Sequence, residues 1–389
     1  MKAKEKHIDP ICGMKGTIPA HGHFFCSEHC IKKYEQEHNI LPEPCPSCAT
    51  TTKKPWYKER LYIITIVTVA LLIISYVTPL LHHFFHSYVE YLQLIWWAIL
   101  LGFFIGGIID YFIPRQYIEK YLSRHQKRTI IYAIIFGFFM SACSHGILAI
   151  AIALYKKGAN TSSVIAFLLA SPWANLPITF LLLGFFGLKG LFIIISAFCI
   201  ALTTGLIYQV LERKGWVECK HCIKGKDVPV HTTFSIIADA KQRWKNYSFT
   251  TQRLTKDFVG VLKGSWALTK MVMWWLLIGL LLAAFAQAFI PTHYFEMYLG
   301  PTIFGLLVTL FFATIIEVCS EGSAPLAFEI YNQTGAFGNS FTFLMAGVVS
   351  DYTEIGLIWS NIGRRAALFL PLVTVPQVLV LGYVFNLFL

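Results

Sequence analysis

Cys143-Ser144-His145-Gly146 and Cys319-Ser320-Glu321-Gly322 are one tetrapeptide written twice, with histidine exchanged for glutamate. Each copy interrupts an otherwise apolar stretch. Thiolate and imidazole suit Cu(I) and Zn(II), and thiolates also suit trivalent arsenic. A carboxylate adds charge neutralisation and a place for a proton. Ionisable groups at membrane depth are costly and tend to face a cavity. If the two strings meet, Cys143, Ser144, His145, Cys319, Ser320 and Glu321 can serve one ion. A lone cysteine in an apolar helix is ordinarily a small buried hydrophobe, which is our reading of Cys199.

A second polar cluster follows each string. Ser171-Pro172-Trp173-Ala174-Asn175 stands in one copy and Asp351-Tyr352-Thr353-Glu354 in the other, with Asn175 aligned on Asp351. Pro172 and Pro177 break a helix and free carbonyls to line a cavity. Asn175, Asp351, Glu354 and Glu317 are therefore candidates for cavity lining or proton coupling; ordinary interhelical hydrogen bonding is the competing reading.

The amino-terminal segment carries five of the ten cysteines. Cys26-Ser27-Glu28-His29-Cys30 puts two sulfurs one helical turn apart, and Cys12, in Asp9-Pro10-Ile11-Cys12-Gly13-Met14, can complete a soft site. Cys45 and Cys48 form a further C-x2-C, and Cys219 and Cys222 another in a basic linker. In a reducing compartment such cysteines are metal ligands more often than disulfides. A Zn or Cu ion is the expected cofactor of this module, and no organic cofactor is expected. A zinc knuckle that merely folds a tail is the bland alternative. Residues 8–34 resemble YHS- or TRASH-type metal-binding domains, and that resemblance falls on Cys12, Cys26 and Cys30.

These residues need a scaffold. Of 389 residues, 56% are hydrophobic and 14% charged, too little charge for a soluble protein. Apolar stretches of about twenty residues read as transmembrane helices. The formal net charge of +11 reads as positive-inside loops, not nucleic-acid binding. We expect an all-α polytopic membrane protein with a small Cys-rich α+β module at its amino terminus. The expected divisions are a cytosolic module at 1–50, a linker and extra first span at 51–91 (the span itself about 61–81), repeat one at 92–211, a cytosolic linker at 212–265 and repeat two at 266–389.

The duplication extends well beyond the tetrapeptides. Ile113-Pro114 returns as Ile290-Pro291, and Tyr155, Phe167, Leu168 and Ala170 return at one spacing as Tyr331, Phe343, Leu344 and Ala346. Charge does not repeat. Arg115, Lys120, Arg124, Lys127 and Arg128 face a loop at 291–301 without Lys or Arg, and Lys156-Lys157 become Asn332-Gln333. Opposite charge on equivalent loops predicts inverted-topology repeats, with substrate sites between them near the midplane. Basic clusters on both sides of 130–154 favour a re-entrant hairpin there, and another at 302–330. Arms of about a dozen residues rise roughly 18 Å, past the middle of a ~30 Å core. The amino terminus and the linker then face the cytosol.

Residues 92–211 and 268–389 resemble the permease family that includes the organoarsenical exporter ArsP and related heavy-metal efflux permeases. Cys143-Ser-His-Gly146, Tyr155-Lys-Lys-Gly158 and Ala166-Phe-Leu-Leu-Ala170-Ser-Pro172-Trp-Ala-Asn175 carry the resemblance. Family members commonly show C-S-C-G at the first motif. His145 in place of the second cysteine favours Zn(II), or Cu(I) with mixed ligands. The resemblance implies a secondary-active efflux permease in the inner membrane for a soft or borderline metal ion, Cu or Zn. Its partners are then the cargo ion, the lipid bilayer and a cytosolic metallochaperone. An organoarsenical or other thiol-reactive cargo, or a metal sensor or metallochaperone platform that transports nothing, are the alternatives. No Walker A and no H-E-x-x-H motif occurs, so neither ATP hydrolysis nor a zinc-protease activity is expected.

Overall fold

Long apolar runs bounded by proline, glycine and charge dictate helices, and a computed structural model contains them. It describes residues 18–20, 23–25, 59–112, 127–140, 144–156, 159–217, 251–316 and 319–389. Residues 1–59 and 60–389 are separate compact units. In the first unit the described part is an antiparallel hairpin, β1 (Ile18–Ala20) and β2 (His23–Phe25), with Pro19 opposite Phe24. Cys12, Cys26, Cys30, Cys45 and Cys48 lie outside the described residues, as do Cys219 and Cys222 of the linker.

The second unit is all-helical in its described residues. Helix α1 (Arg60–Val77) leads through a short turn at Pro79–Leu81 into α2 (His82–Phe112). Repeat one continues with α3 (Lys127–Phe139), α4 (Ser144–Lys156), α5 (Thr161–Ala174), α6 (Leu176–Phe186) and α7 (Lys189–Arg213). Repeat two holds α8 (Thr251–Phe289), α9 (Thr292–Leu299), α10 (Ile303–Ile316), α11 (Ser320–Thr334), α12 (Phe337–Val349), α13 (Tyr352–Asn361) and α14 (Arg364–Phe388). Among the described residues six helices are long and apolar enough to cross a membrane, or up to eight if each of two bent pairs counts as one span. Ile66, Ile73, Leu100, Ile195, Phe311 and Leu372 stand exposed around the outside. Such a belt is aggregation-prone in water and well solvated by lipid.

Some boundaries differ from expectation. The first span stops at Val77, since Pro79 cannot continue it. Helix α8 begins at Thr251, inside the segment read as linker. Cys199 is a correction: it lies exposed on the outer face of α7, not in the core, because Ile200 and Ala197 take the buried stripe of that helix.

The helices flanking the tetrapeptides are half-length and double back. In repeat one α3 runs parallel to α5. Ile130 and Ala166 meet beside Gly205, Gly137 lies against Phe167 and Ala170, and the Ser171 hydroxyl donates to the Met140 carbonyl at 3.1 Å. Helix α4 turns tightly at Ala159 and packs back on α5 in the opposite sense. Repeat two copies this. Asn339 of α12 donates to Thr309 of α10 at 3.0 Å, and Thr314 donates to Ser350 at 2.8 Å. Helix α11 ends at left-handed Gly335 (φ 65°) and packs against α12. Both breaks therefore lie near the carboxy-terminal ends of α5 and α12.

The repeat persists in the backbone and in the contacts. Gly187 and Gly363, equivalent positions after α6 and α13, both hold positive φ (56° and 155°), which glycine adopts without strain. Helix α11 packs on α6, and α4 on α13. Tyr155 donates to the Ile362 carbonyl at 3.4 Å, while its equivalent Tyr331 accepts from Lys189 at 2.9 Å. The α4–α13 and α11–α6 contacts thus return with the partners exchanged between the two halves.

Candidate functional site

Helix α5 ends at Ala174, and Asn175 begins α6 in extended conformation with Pro177 in its first turn. The Asn175 Oδ1 caps α6 by accepting from the Ile178 N–H at 2.9 Å. Its Nδ2 is left to point away, and it donates to Glu321 Oε1 at 3.3 Å. Asn175 is 1% exposed and Glu321 2%. The two repeats thus meet, at their breaks, through a buried amide and a buried carboxylate.

Glu321 lies in the first turn of α11, where free backbone N–H groups favour negative charge. Cys319 is the N-cap residue. Its Sγ donates to Glu321 Oε2 at 2.7 Å, and Ser320 Oγ donates to the same oxygen at 3.0 Å. Three side-chain donors converge on one carboxylate. All four residues are buried. This close approach depends on Gly279 of α8: a Cβ there would lie 2.0 Å from the Gly322 carbonyl oxygen. Two glycines let the backbones of α8 and α11 touch directly behind Glu321.

The other predicted residues fall as follows. Asp351 caps α13, its Oδ1 accepting from Thr353 N–H at 2.6 Å, Thr353 Oγ1 at 2.6 Å and Glu354 N–H at 3.1 Å. Asn175 and Asp351 therefore share a helix-capping role, as their alignment implies. Glu354 is 1% exposed. Cys143 and Glu317 lie outside the described residues; Ser144 and His145 open α4, and only their backbone is described. Among the described residues no group of three or more His, Cys, Asp or Glu is placed to hold a metal ion.

One buried carboxylate escaped the sequence reading. Glu329, two turns beyond Glu321 on α11, is 1% exposed. It accepts from Tyr91 of α2 and, at 2.7 Å, from Gln333. Gln333 in turn accepts from exposed Thr292 at 2.7 Å. Glu329 also borders an apolar cavity of about 390 Å³ walled by Tyr294, Phe295, Tyr298, Phe312 and Phe343. A signal for it existed. Positions 321, 325 and 329 share one helix face, which sets Glu329 on the same side of α11 as Glu321.

A multi-pass helical unit with paired half-helices and a polar junction between repeats is transporter architecture, and the comparisons agree. The chain belongs to the ArsP_1 family of predicted permeases, whose family model matches residues 80–387. It is similar to UPF0718 protein MJ0584 of Methanocaldococcus jannaschii, 22% identical over 335 residues, which cover 75% of this chain and 92% of that protein. It is likewise similar to UPF0718 protein YcgR of Bacillus subtilis, 22% identical over 272 residues, covering 69% and 84%. A Streptococcus mutans protein provisionally named as a subunit of a two-component membrane permease complex is 23% identical over 260 residues, covering 66% and 79%. No solved structure matches.

Proposed function

We propose that this permease exports a soft or borderline metal ion, Cu or Zn, by a secondary mechanism. The observation that supports this most is the buried Cys319–Glu321 pair facing Asn175 of the opposite repeat. A thiol and a carboxylate 2.7 Å apart form a compact donor set for such a cation. In this reading Cys143 and His145 complete the set from the first repeat. Cargo arrives from the Cys12, Cys26 and Cys30 module, with Cys219 and Cys222 as a way station. The doubled-back arms α3–α4 and α10–α11 are re-entrant hairpins of inverted repeats, and alternating access exposes their tips in turn. Glu321 takes a proton when cargo leaves. A second subunit is a natural partner to look for, given the name of the Streptococcus mutans relative.

The test is growth of a host stripped of its own Cu, Zn and arsenic efflux systems. Expression of the chain should raise tolerance to Cu or Zn, and Glu321→Gln should abolish the gain. Tolerance to a trivalent methyl-arsenical alone would assign the organoarsenical cargo. No gain for any cargo, with metal still bound by the amino-terminal module, would assign a sensor or platform.

A further inference from the structure

We propose that His82 and His86 form a binding site for a late first-row divalent cation at the α1–α2 turn. This site is separate from the repeat junction and independent of what the permease carries. Positions four apart on a helix share a face, so both imidazoles project side by side from the first turns of α2. Both residues are exposed on the outside of the helix rather than packed into the protein core, which leaves them open to an incoming ion. Their ring centres are 4.8 Å apart, with the planes at 76°. Metal–nitrogen bonds of about 2.0–2.1 Å, with each ring centre a little over 1 Å beyond its nitrogen, put two cis imidazoles roughly 4.5–5 Å apart. The observed spacing between ring centres falls in that span.

The pair is also held in place. Tyr76, at the end of α1, stands 6.0 Å from the His82 ring and 5.3 Å from Phe85, and Phe85 packs edge-on against His86 at 5.8 Å. An aromatic frame that restricts both rings lowers the entropy lost on chelation. Imidazole nitrogens select Cu(II), Ni(II) and Zn(II) over Ca(II) and Mg(II), with Cu(II) tightest in the series. Two protein ligands leave the remaining positions to water, which makes this an exchange site rather than a storage site. The turn lies at the end of α1 opposite Arg60.

The experiment is a titration of the full chain, free of a histidine tag, in lipid nanodiscs with thiols blocked by N-ethylmaleimide. The probe is Cu(II) iminodiacetate, read by electron paramagnetic resonance. Wild type should bind it with two imidazole nitrogens coupled to the copper. His82→Ala and His86→Ala should each weaken binding about tenfold or more and lose the two-nitrogen signature. His83→Ala, on another face of the same turn, should bind as wild type does. The thermal midpoint of each variant is recorded alongside, to separate lost ligands from lost fold. Binding within about twofold of wild type in His82→Ala or His86→Ala, or an equal loss in His83→Ala, would overturn the assignment.

Discussion

Asn175 of the first repeat and Glu321 of the second are joined by a 3.3 Å hydrogen bond across 146 positions of sequence. One asparagine ends a helix, starts the next and holds the carboxylate of the opposite repeat. Those duties separate by mutation. Asn175→Asp keeps the capping oxygen but sets a second carboxylate against Glu321. Asn175→Ala removes cap and donor, costing about 1–2 kcal/mol of stability. We expect Asn175→Asp to lose cargo tolerance while retaining a monodisperse elution profile, with Asn175→Ala losing both. Fluorescence-detected gel filtration beside a growth assay checks this.

Cys319→Ser keeps a hydroxyl donor to Glu321 in a shape close to the thiol. The fold should be preserved, with a thermal midpoint near that of wild type. If Sγ is a cargo ligand, tolerance falls to the level of the empty vector. Unchanged tolerance would reduce Cys319 to a support for Glu321.

Gly279→Ala drives a methyl group into the Gly322 carbonyl. Overpacking of this kind costs about 1–3 kcal/mol and displaces the first turn of α11. We expect a lowered thermal midpoint and lost function together. Gly356→Ala, at a position where a Cβ meets nothing within 4 Å, is the matched control and should behave as wild type.

Tyr91→Phe deletes a donor to Glu329 and leaves a buried carboxylate with fewer partners, at a cost of about 1–3 kcal/mol. Adding Glu329→Gln should recover part of that loss, because the amide tolerates the missing donor better than the acid does. A double-mutant cycle on thermal midpoints measures the coupling, and strict additivity would contradict it.

The duplication was legible in the sequence because helix periodicity and the tetrapeptides recur in both halves, while the loop charges differ between them. So were the breaks, through Pro172, Pro177 and the Cys-Ser strings. The pairing of Asn175 with Glu321 was not. Alignment within the repeat matches Asn175 to Asp351 and Glu321 to His145, so it points each residue at its copy, whereas the fold joins residues that are not equivalents. Glu329 carries no motif, and the one signal for it, its place on the Glu321 face of α11, says nothing of its burial or of the Tyr91 hydroxyl, which are tertiary. The capping role of Asp351 was not legible, because residue type alone does not distinguish a helix cap from a group that lines a cavity or couples protons. Cys199 read as buried because the three apolar residues around it do not say which stripe of α7 faces inward.

The most direct test is cargo uptake into inside-out vesicles carrying wild type, Cys319→Ser or Glu321→Gln. Cu(I), Zn(II) and a trivalent methyl-arsenical are each offered with and without a proton gradient. A cargo site at the repeat junction predicts gradient-dependent accumulation of Cu(I) or Zn(II) by wild type and none by either variant. Accumulation that is equal in all three proteins would contradict a cargo site at the repeat junction.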